Sequence, residues 1–346
     1  MSTLTDRIYV RNSFEDLPSL LNGYPQVFCV YDAAVGEYIE KVKKSGAIIK
    51  DTFPIIANEE QKTIETVLGI NAWLLERNAN RNDLLLTVGG GITSDMGGFA
   101  ASIYKRGIDF AYIPTTLLSQ VDAAIGGKTG VNFKSYKNIL GTIVQPKFTY
   151  INVNTLETLS KRDFLSGVAE LLKTFIIGDA KSYSESVSFL KNKNEYRAGI
   201  ETYIKKAAMI KAGIVERDEY ESGERRKLNL GHTFAHAIEW YQQENNIVDG
   251  LSHGEAVAVG ICQAAKMSEK LGLCREGLAM EIKNDFDRCG LPTELPYPIN
   301  EIEDSFFKDK KAEQGGVNFV LIRAIGDVDT MLLTRQQWQG IRNFFG

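Results

Sequence analysis

The sequence predicts an α/β domain followed by an all-α domain, and three observations carry that reading. Eight prolines fall at positions 18, 25, 54, 114, 146, 292, 296 and 298, leaving none between Pro146 and Pro292. A long proline-free run with apolar residues three to four apart is the pattern of packed helices. Before Pro146, short apolar runs alternate with amphipathic stretches, the order expected of a parallel sheet covered by helices. The length of 346 residues suits two domains rather than one core. The boundary is placed at 158/159, giving an α/β domain over 1–158 and a helical domain over 159–346.

In the first domain the strands are read at Gln26–Tyr31, Gly46–Lys50, Leu84–Val88 and Phe110–Pro114, each a run of mainly apolar residues. Gln61–Glu76 and Ser94–Lys105 carry apolar residues at helical spacing between them. From about Arg162 the pattern turns helical over Phe164–Ile177, Tyr203–Arg217, His232–Glu244, Gly254–Leu271 and Arg275–Cys289. Near the end, Val317–Ile322 and Val328–Leu333 flank the turn-like Arg323–Asp327 and read as a small strand pair.

Composition excludes several classes. Hydrophobic residues make up 44% and charged residues 24%, the balance of an ordinary globular protein. Forty basic against 44 acidic residues leave a net charge of −4, which argues against nucleic acid or anionic lipid as the main partner. No apolar stretch reaches the roughly 18 residues needed to span a bilayer. The opening MSTLTDRIYVRNSF has no apolar core of a signal peptide. Cys29, Cys262, Cys274 and Cys289 form no C-x-x-C pair and read as reduced packing residues, so a cytoplasmic location is expected.

Leu84–Val88 runs into Gly89-Gly90-Gly91, and Ser94 or Asp95 then stands where a helix opens. Strand, glycine turn and helix N-terminus together form an anion site of the Rossmann type, because the backbone approaches a phosphate and free N–H groups point at it. The fingerprint is incomplete, since Ser94 occupies the third glycine position, and a plain tight turn explains the glycines equally well. Gly126-Gly127-Lys128-Thr129 looks like a phosphate loop, but G-x-x-x-x-G-K-S/T requires glycine where Asp122 stands. A nucleoside triphosphatase is therefore rejected. Lys128 in a glycine-rich loop with Asp122 still suits a small anionic, hydroxylated ligand, or an ordinary surface loop.

All three histidines lie between 232 and 253. His232 and His236 are four apart, hence on one helix face. Imidazole is the commonest neutral metal ligand, and a metal site needs about three converging groups. H-E-x-x-H is absent, so a zincin protease is excluded. Glu170 and Lys173 are the only charges in the apolar stretch FLSGVAELLKTFII, three apart on one side. Buried charges are costly unless paired or coordinated, so they form either an internal salt bridge or a metal ligand beside an anion-binding lysine. Lys211, Arg225 and Asn229 lead into His232; if that stretch is helical, it presents a cationic, amide-bearing face.

These segments in order, Gly89–Phe99, Ile113–Leu117, Asp122–Asn132, Lys137–Gly141, Ala169–Lys173, Leu228–Glu239 and Ser252–Gly260, with Asp309-Lys310-Lys311 near the end, resemble the 3-dehydroquinate synthase family of sugar phosphate cyclases. The resemblance implies the fold of that family, a Rossmann-like NAD domain joined to a helical metal- and substrate-binding domain. It implies conversion of 3-deoxy-D-arabino-heptulosonate 7-phosphate to 3-dehydroquinate and phosphate, in the shikimate route to aromatic amino acids. NAD would take hydride from C4 as the C4 hydroxyl loses its proton, phosphate would leave by β-elimination, hydride would return, and an aldol step would close the ring.

By the same resemblance, Glu170, His232 and His253 match the ligands of one divalent metal, zinc or cobalt, and His236 passes to the substrate. Lys128, Lys173, Lys211, Arg225, Asn229 and His236 match catalytic positions. Arg106, Asp122, Asn138 and Lys310 match substrate positions, Arg106 at the phosphate. NAD contacts fall on Asp32, Glu59, Lys62, Gly90, Gly91, Asp95, Thr115, Thr116, Lys137 and Thr155. A homodimer is the family's expectation.

The sequence departs from the family pattern at Asn154 and Ser160, and the segment between His236 and His253 is longer than usual. Two enzyme rivals remain: a sibling cyclase acting on another sugar phosphate, and a metal-dependent polyol dehydrogenase that would consume NAD stoichiometrically. A non-catalytic binding protein would not need the metal-ligand set together with the lysines.

Overall fold

A computed structural model describes residues 3–134, 136–191, 199–307 and 316–345. The chain divides into two compact units, Met1–Phe164 with Gly199–Tyr220, and Leu165–Ala198 with Glu221–Gly346.

The strands of the first unit are β1 (Ile8–Arg11), β2 (Val27–Asp32), β3 (Asp51–Ile55), β4 (Leu84–Gly89), β5 (Asp109–Pro114), β6 (Lys128–Phe133), β7 (Tyr136–Ile143) and β8 (Thr149–Asn152). Six of them form a sheet in the order β1-β8-β5-β4-β2-β3, and its recorded pairs are parallel. Helices α1 (Leu17–Leu21), α2 (Gly36–Lys44), α3 (Ile64–Glu76) and α4 (Gly91–Ile103) connect the strands. Then α5 (Lys161–Gly178) runs into the second unit, α6 (Ala180–Leu190) lies there, and α7 (Glu201–Arg217) belongs to the first.

Every residue of β4 is buried, as expected of a central strand covered on both faces. Alternate residues serve two cores: Phe28, Val30 and Leu85 join Val67, Trp73 and Phe99, whereas Val27, Cys29 and Leu86 join Tyr38, Ile39 and Val42. Helices α3 and α4 thus cover one face, with α1 and α2 on the other. Pro54 is tolerated because β3 is an edge strand.

The second unit adds α8 (His232–Glu244), α9 (His253–Lys270), α10 (Leu278–Cys289), α11 (Ile299–Phe306) and α12 (Arg335–Ile341). An antiparallel hairpin, β9 (Gly316–Ala324) with β10 (Asp327–Thr334), precedes the last helix. Phe234 of α8 lies in an aromatic cluster with Phe306, Phe319, Trp338 and Phe345. That packing turns the opposite face of α8, which carries His232 and His236, away from the cluster.

Several expectations change. The strand read at Gly46–Lys50 lies instead at Asp51–Ile55, where Asp51 and its successors pair with β2. Lys128 opens β6 rather than sitting in a loop, and the β6–β7 hairpin was not anticipated. Helix α4 starts at Gly91 rather than Ser94, with Gly90 as its N-cap. Helix α7 groups with the sheet unit, although the 158/159 division assigns it to the helical domain; Lys211 on α7 is tied to Asp122 of that unit. The C-terminal strand pair is present as expected, so the second unit is helical with one hairpin. No helix among the described residues is long and apolar enough to cross a membrane.

Candidate functional site

Glu170 sits in the middle of α5, flanked by buried Val168, Ala169, Leu171 and Leu172. Its side chain is 0% exposed and that of Lys173 is 1% exposed, and the Lys173 ammonium pairs with Glu170 Oε2. The internal salt bridge of the either–or reading is present, and it leaves Glu170 Oε1 turned toward the two histidines. His232 is the first residue of α8 and His253 the first of α9.

Close backbone approaches bring these helix starts to α5. Gly231 adopts a left-handed φ of +79°, and a β-carbon there would meet Val257 O and Ile261 N at 2.8 Å, so α8 begins directly against α9. A β-carbon at Gly254 would lie 2.1 Å from Ser166 O, so the first turn of α9 rests on the backbone of α5. Larger residues at either position would separate the helices and with them the ligands.

The resulting geometry suits a metal ion. His253 Nε2 lies 3.5 Å and His232 Nε2 3.8 Å from Glu170 Oε1. One ligand atom from each of the three residues falls within 4.8 Å of the others. A tetrahedral centre with metal–ligand distances of about 2.0–2.2 Å places its ligand atoms about 3.3–3.6 Å apart. Both imidazoles are also oriented from behind. His253 Nδ1 lies 2.9 Å from Glu239 Oε1, and His232 Nδ1 lies 3.2 Å from the Leu230 carbonyl. A carboxylate and a carbonyl only accept, so each Nδ1 carries a proton and each Nε2 is turned to Glu170. Glu170 Oε1 is buried without a hydrogen bond of normal geometry. An orphaned buried carboxylate oxygen facing two imidazole nitrogens fits a divalent cation.

The electrostatics agree. Burial pushes the Glu170 carboxyl up, but Lys173 and the two histidines outweigh it and hold it well below the usual range. Burial, reinforced by Lys173, lowers His232 to about 3, leaving a neutral ligand. Burial lowers His253 too, but the carboxylates of Glu170 and Glu239 beside it outweigh that and raise it to about 10.

Three further residues of the expected set belong to the same unit. The His236 ring stands 5.5 Å from that of His232, edge to face, and is absent from the converging set, as the family resemblance implies. Arg225 is buried, and Asn229 Nδ2 donates to Glu221 Oε1 at 2.6 Å. Arg225 and Asn229 occupy a short helical turn, Glu224–Asn229, separated from α8 by Leu230 and Gly231; the continuous helical face read from the sequence does not exist. Lys310 lies outside the described residues. Glu239 was missed by the sequence reading. The available signal was its spacing, since positions 232, 236 and 239 share one helix face.

In the first unit, the glycine turn stands at the C-terminal end of β4, and Thr115 N donates to Gly89 O from the end of β5. No side chain caps α4. A β-carbon at Gly90 would lie 3.1 Å from Thr116 Cγ2, and one at Gly91 3.0 Å from Ala123 Cβ, so side chains would fill this cradle. The Thr115 hydroxyl is buried without a partner. An uncapped helix start and an orphaned hydroxyl fit a nucleotide's phosphate and hydroxyl groups.

Around the turn, buried Lys62 donates to Asp95 Oδ2 at 2.6 Å and Asn138 Oδ1 at 2.5 Å. Burial raises the Asp95 carboxyl, with Lys62 opposing it. Glu59 accepts from Asn132 at 2.7 Å, and Asp32 caps the turn after β2 by accepting from Ala34 N. Thr116 Oγ1 accepts from Ser119 N, while Lys137 is exposed on β7. Lys211 donates to Asp122 Oδ1 at 2.6 Å, and Lys128 is exposed at the start of β6.

Thr155 and Arg106 complete the expected set on this unit. Thr155 is buried, its hydroxyl donating to Asn152 O and accepting from Gln120 Nε2. Arg106 follows α4, in a left-handed conformation with φ of +68°. Because α4 begins at the glycine turn and runs antiparallel to the strands, Arg106 lies at the other end of the sheet, about 20 Å away at 1.5 Å per helical residue.

A parallel α/β unit with a phosphate-type glycine turn, and a helical unit with a two-histidine, one-carboxylate centre, define a metal- and nucleotide-dependent enzyme. Residues 52–166 match the 3-dehydroquinate synthase N-terminal family and residues 167–312 the 3-dehydroquinate synthase C-terminal family. The 3-dehydroquinate synthase of Clostridium beijerinckii is 40% identical over 308 residues, 87% of this chain and 86% of that protein. That of Campylobacter concisus is 45% identical over 271 residues, 78% of this chain and 76% of its own length. Among solved structures, 2-epi-5-epi-valiolone synthase from Streptomyces hygroscopicus subsp. jinggangensis 5008, with NAD+ and Zn2+ bound, superposes with a TM-score of 0.84 at 27% identity, covering 96% of this chain and 94% of that one. The chain belongs to the 3-dehydroquinate synthase family.

Proposed function

We propose that this protein converts 3-deoxy-D-arabino-heptulosonate 7-phosphate to 3-dehydroquinate and phosphate, with catalytic NAD and one divalent metal, zinc or cobalt. The observation that carries the reading is the convergence of Glu170, His232 and His253 beside Lys173, in a chain 40–45% identical to relatives bearing that name. The cyclase of different product is only 27% identical, so the sibling activity is the second reading.

When bound, NAD supplies reversible hydride transfer and the metal acidifies the hydroxyls it contacts. The chain's residues do the rest. Glu170, His232 and His253 hold the metal; Gly90, Gly91, Asp95, Thr115 and Lys62 cradle the nucleotide, with Asp32, Glu59, Thr116 and Lys137 beside them. Lys173, Arg225, Asn229 and His236 orient the substrate's carboxylate and hydroxyls on the helical unit. Lys128, Asp122, Asn138 and Lys211 of the sheet unit are the remaining residues that the family resemblance assigns to catalysis or substrate. A protein of net charge −4 binds a phosphorylated carboxylate only where cations are concentrated locally, which these lysines and Arg225 provide.

The proposed assembly is a homodimer in the cytoplasm. Four free cysteines suit a reducing compartment.

The test incubates purified, metal-replete protein with the heptulosonate phosphate and substoichiometric NAD, and measures released phosphate and 3-dehydroquinate together. Many turnovers per NAD, abolished by chelator and restored by zinc or cobalt, support the reading. Phosphate without dehydroquinate, or no turnover, overturns it and directs the assay to other sugar phosphates.

A further inference from the structure

We propose that Glu239 is the residue that positions His253 for the metal. The inference rests on the metal reading above and extends it to a residue outside the ligand set. Glu239 Oε1 lies 2.9 Å from His253 Nδ1, and its side chain is 16% exposed, shielded enough for the bond to outcompete water. A carboxylate cannot donate, so the bond holds the Nδ1 proton in place and commits Nε2 to the ligand position, 3.5 Å from Glu170 Oε1.

His253 needs this support more than His232 does. The His232 ring is fixed by a backbone carbonyl two residues away, whereas the side chain of His253 is 37% exposed against 14% for His232. A half-open imidazole at the first position of a helix has several rotamers available, and only one brings Nε2 to the centre. Glu239 selects it from α8, a different helix from α9, which carries His253. The same bond therefore ties the two histidine-bearing helices together. A carboxylate behind a ligating imidazole also raises its basicity, and removing such a partner typically costs 10–100-fold in metal affinity.

The experiment measures zinc dissociation constants by chelator competition on the full chain, for wild type, Glu239→Gln, Glu239→Ala and His232→Ala. Visible spectra of the cobalt-loaded proteins and thermal melts of the metal-free forms are recorded alongside. The expected result is zinc binding weakened about tenfold in Glu239→Gln and up to about a hundredfold in Glu239→Ala, with altered cobalt spectra and a near-native melt of metal-free Glu239→Gln. Gln keeps the shape and an acceptor but loses the charge, so it carries the test should the alanine variant fail to fold. Wild-type zinc affinity in either folded variant, with metal lost in His232→Ala, overturns the role of Glu239 and leaves the metal centre standing. Failure of the wild type to bind zinc overturns both.

Discussion

Gly260 of α9 stands so close to Gly231, the residue before α8, that a β-carbon on Gly260 would lie 2.0 Å from the Gly231 carbonyl oxygen. No real contact of that length exists, so the helices touch here through backbone alone. Glycine at both positions is what lets His232 enter the centre from the start of its helix.

Gly260→Ala is therefore expected to destabilise the protein by about 1–3 kcal/mol, the usual cost of overpacking. It should also weaken zinc binding by displacing His232. Urea unfolding of the metal-free variant checks the first effect; an unchanged midpoint would contradict the backbone contact.

His232→Ala should lose stoichiometric metal and turnover while keeping the fold. The side chain is largely buried at 14% exposed, so some stability is lost with it, while the backbone of α8 is left unchanged. Metal content after desalting and the far-ultraviolet spectrum decide the matter, and full metal content in the variant would exclude His232 as a ligand.

Asp51 accepts from Arg77 Nε at 2.7 Å, Thr52 N at 2.8 Å and Trp73 Nε1 at 3.3 Å, tying β3 to the end of α3. The Arg77 guanidinium, followed by the Thr52 N–H, lowers its carboxyl below the ordinary 3.8. A lowered carboxyl adds stability that is fully present above its unfolded value and fades as pH falls through the folded one. Wild type should melt higher than Asp51→Asn near neutral pH, with the gap closing below about pH 3.8. A gap that persists or widens in acid would refute the ionic origin.

Burial pushes the Cys29, Cys262 and Cys289 thiols up to about 12, and Cys274 alone is not buried. An aromatic disulfide reagent near pH 8 should modify Cys274 first in the native protein and the other three only on unfolding. Rapid modification of more than one native thiol would count against this packing.

Much of the fold was legible because it is written locally. Leu84–Val88 followed by three glycines forms the central strand and turn, and the proline-free run holds the helices of the second unit. The β1–β8 side of the sheet was not legible: edge strand β1 pairs with the inner strand β8, joining Ile8 to Thr149, and neither four-residue segment carries a pattern of its own. The β6–β7 hairpin was hidden because its outer strand is exposed and mixed in polarity. Helix α7 has ordinary helical periodicity, which says nothing about which core it joins.

For the candidate site, the sequence by itself determined the chemical inventory: three histidines, a Glu–Lys pair in an apolar helix, a glycine turn after a buried strand, and the family these motifs mark. Spacing along one helix suggested His232 and His236 as a pair, yet the tertiary structure sets His232 beside His253 and Glu170 and adds Glu239 behind them. The reason is physical. Helical periodicity reports which residues share a face, whereas a metal centre is defined by a few ångströms between atoms on three different helices. Those distances depend on where glycine allows one backbone to touch another, and on which nitrogen of each imidazole a neighbouring acceptor has already claimed.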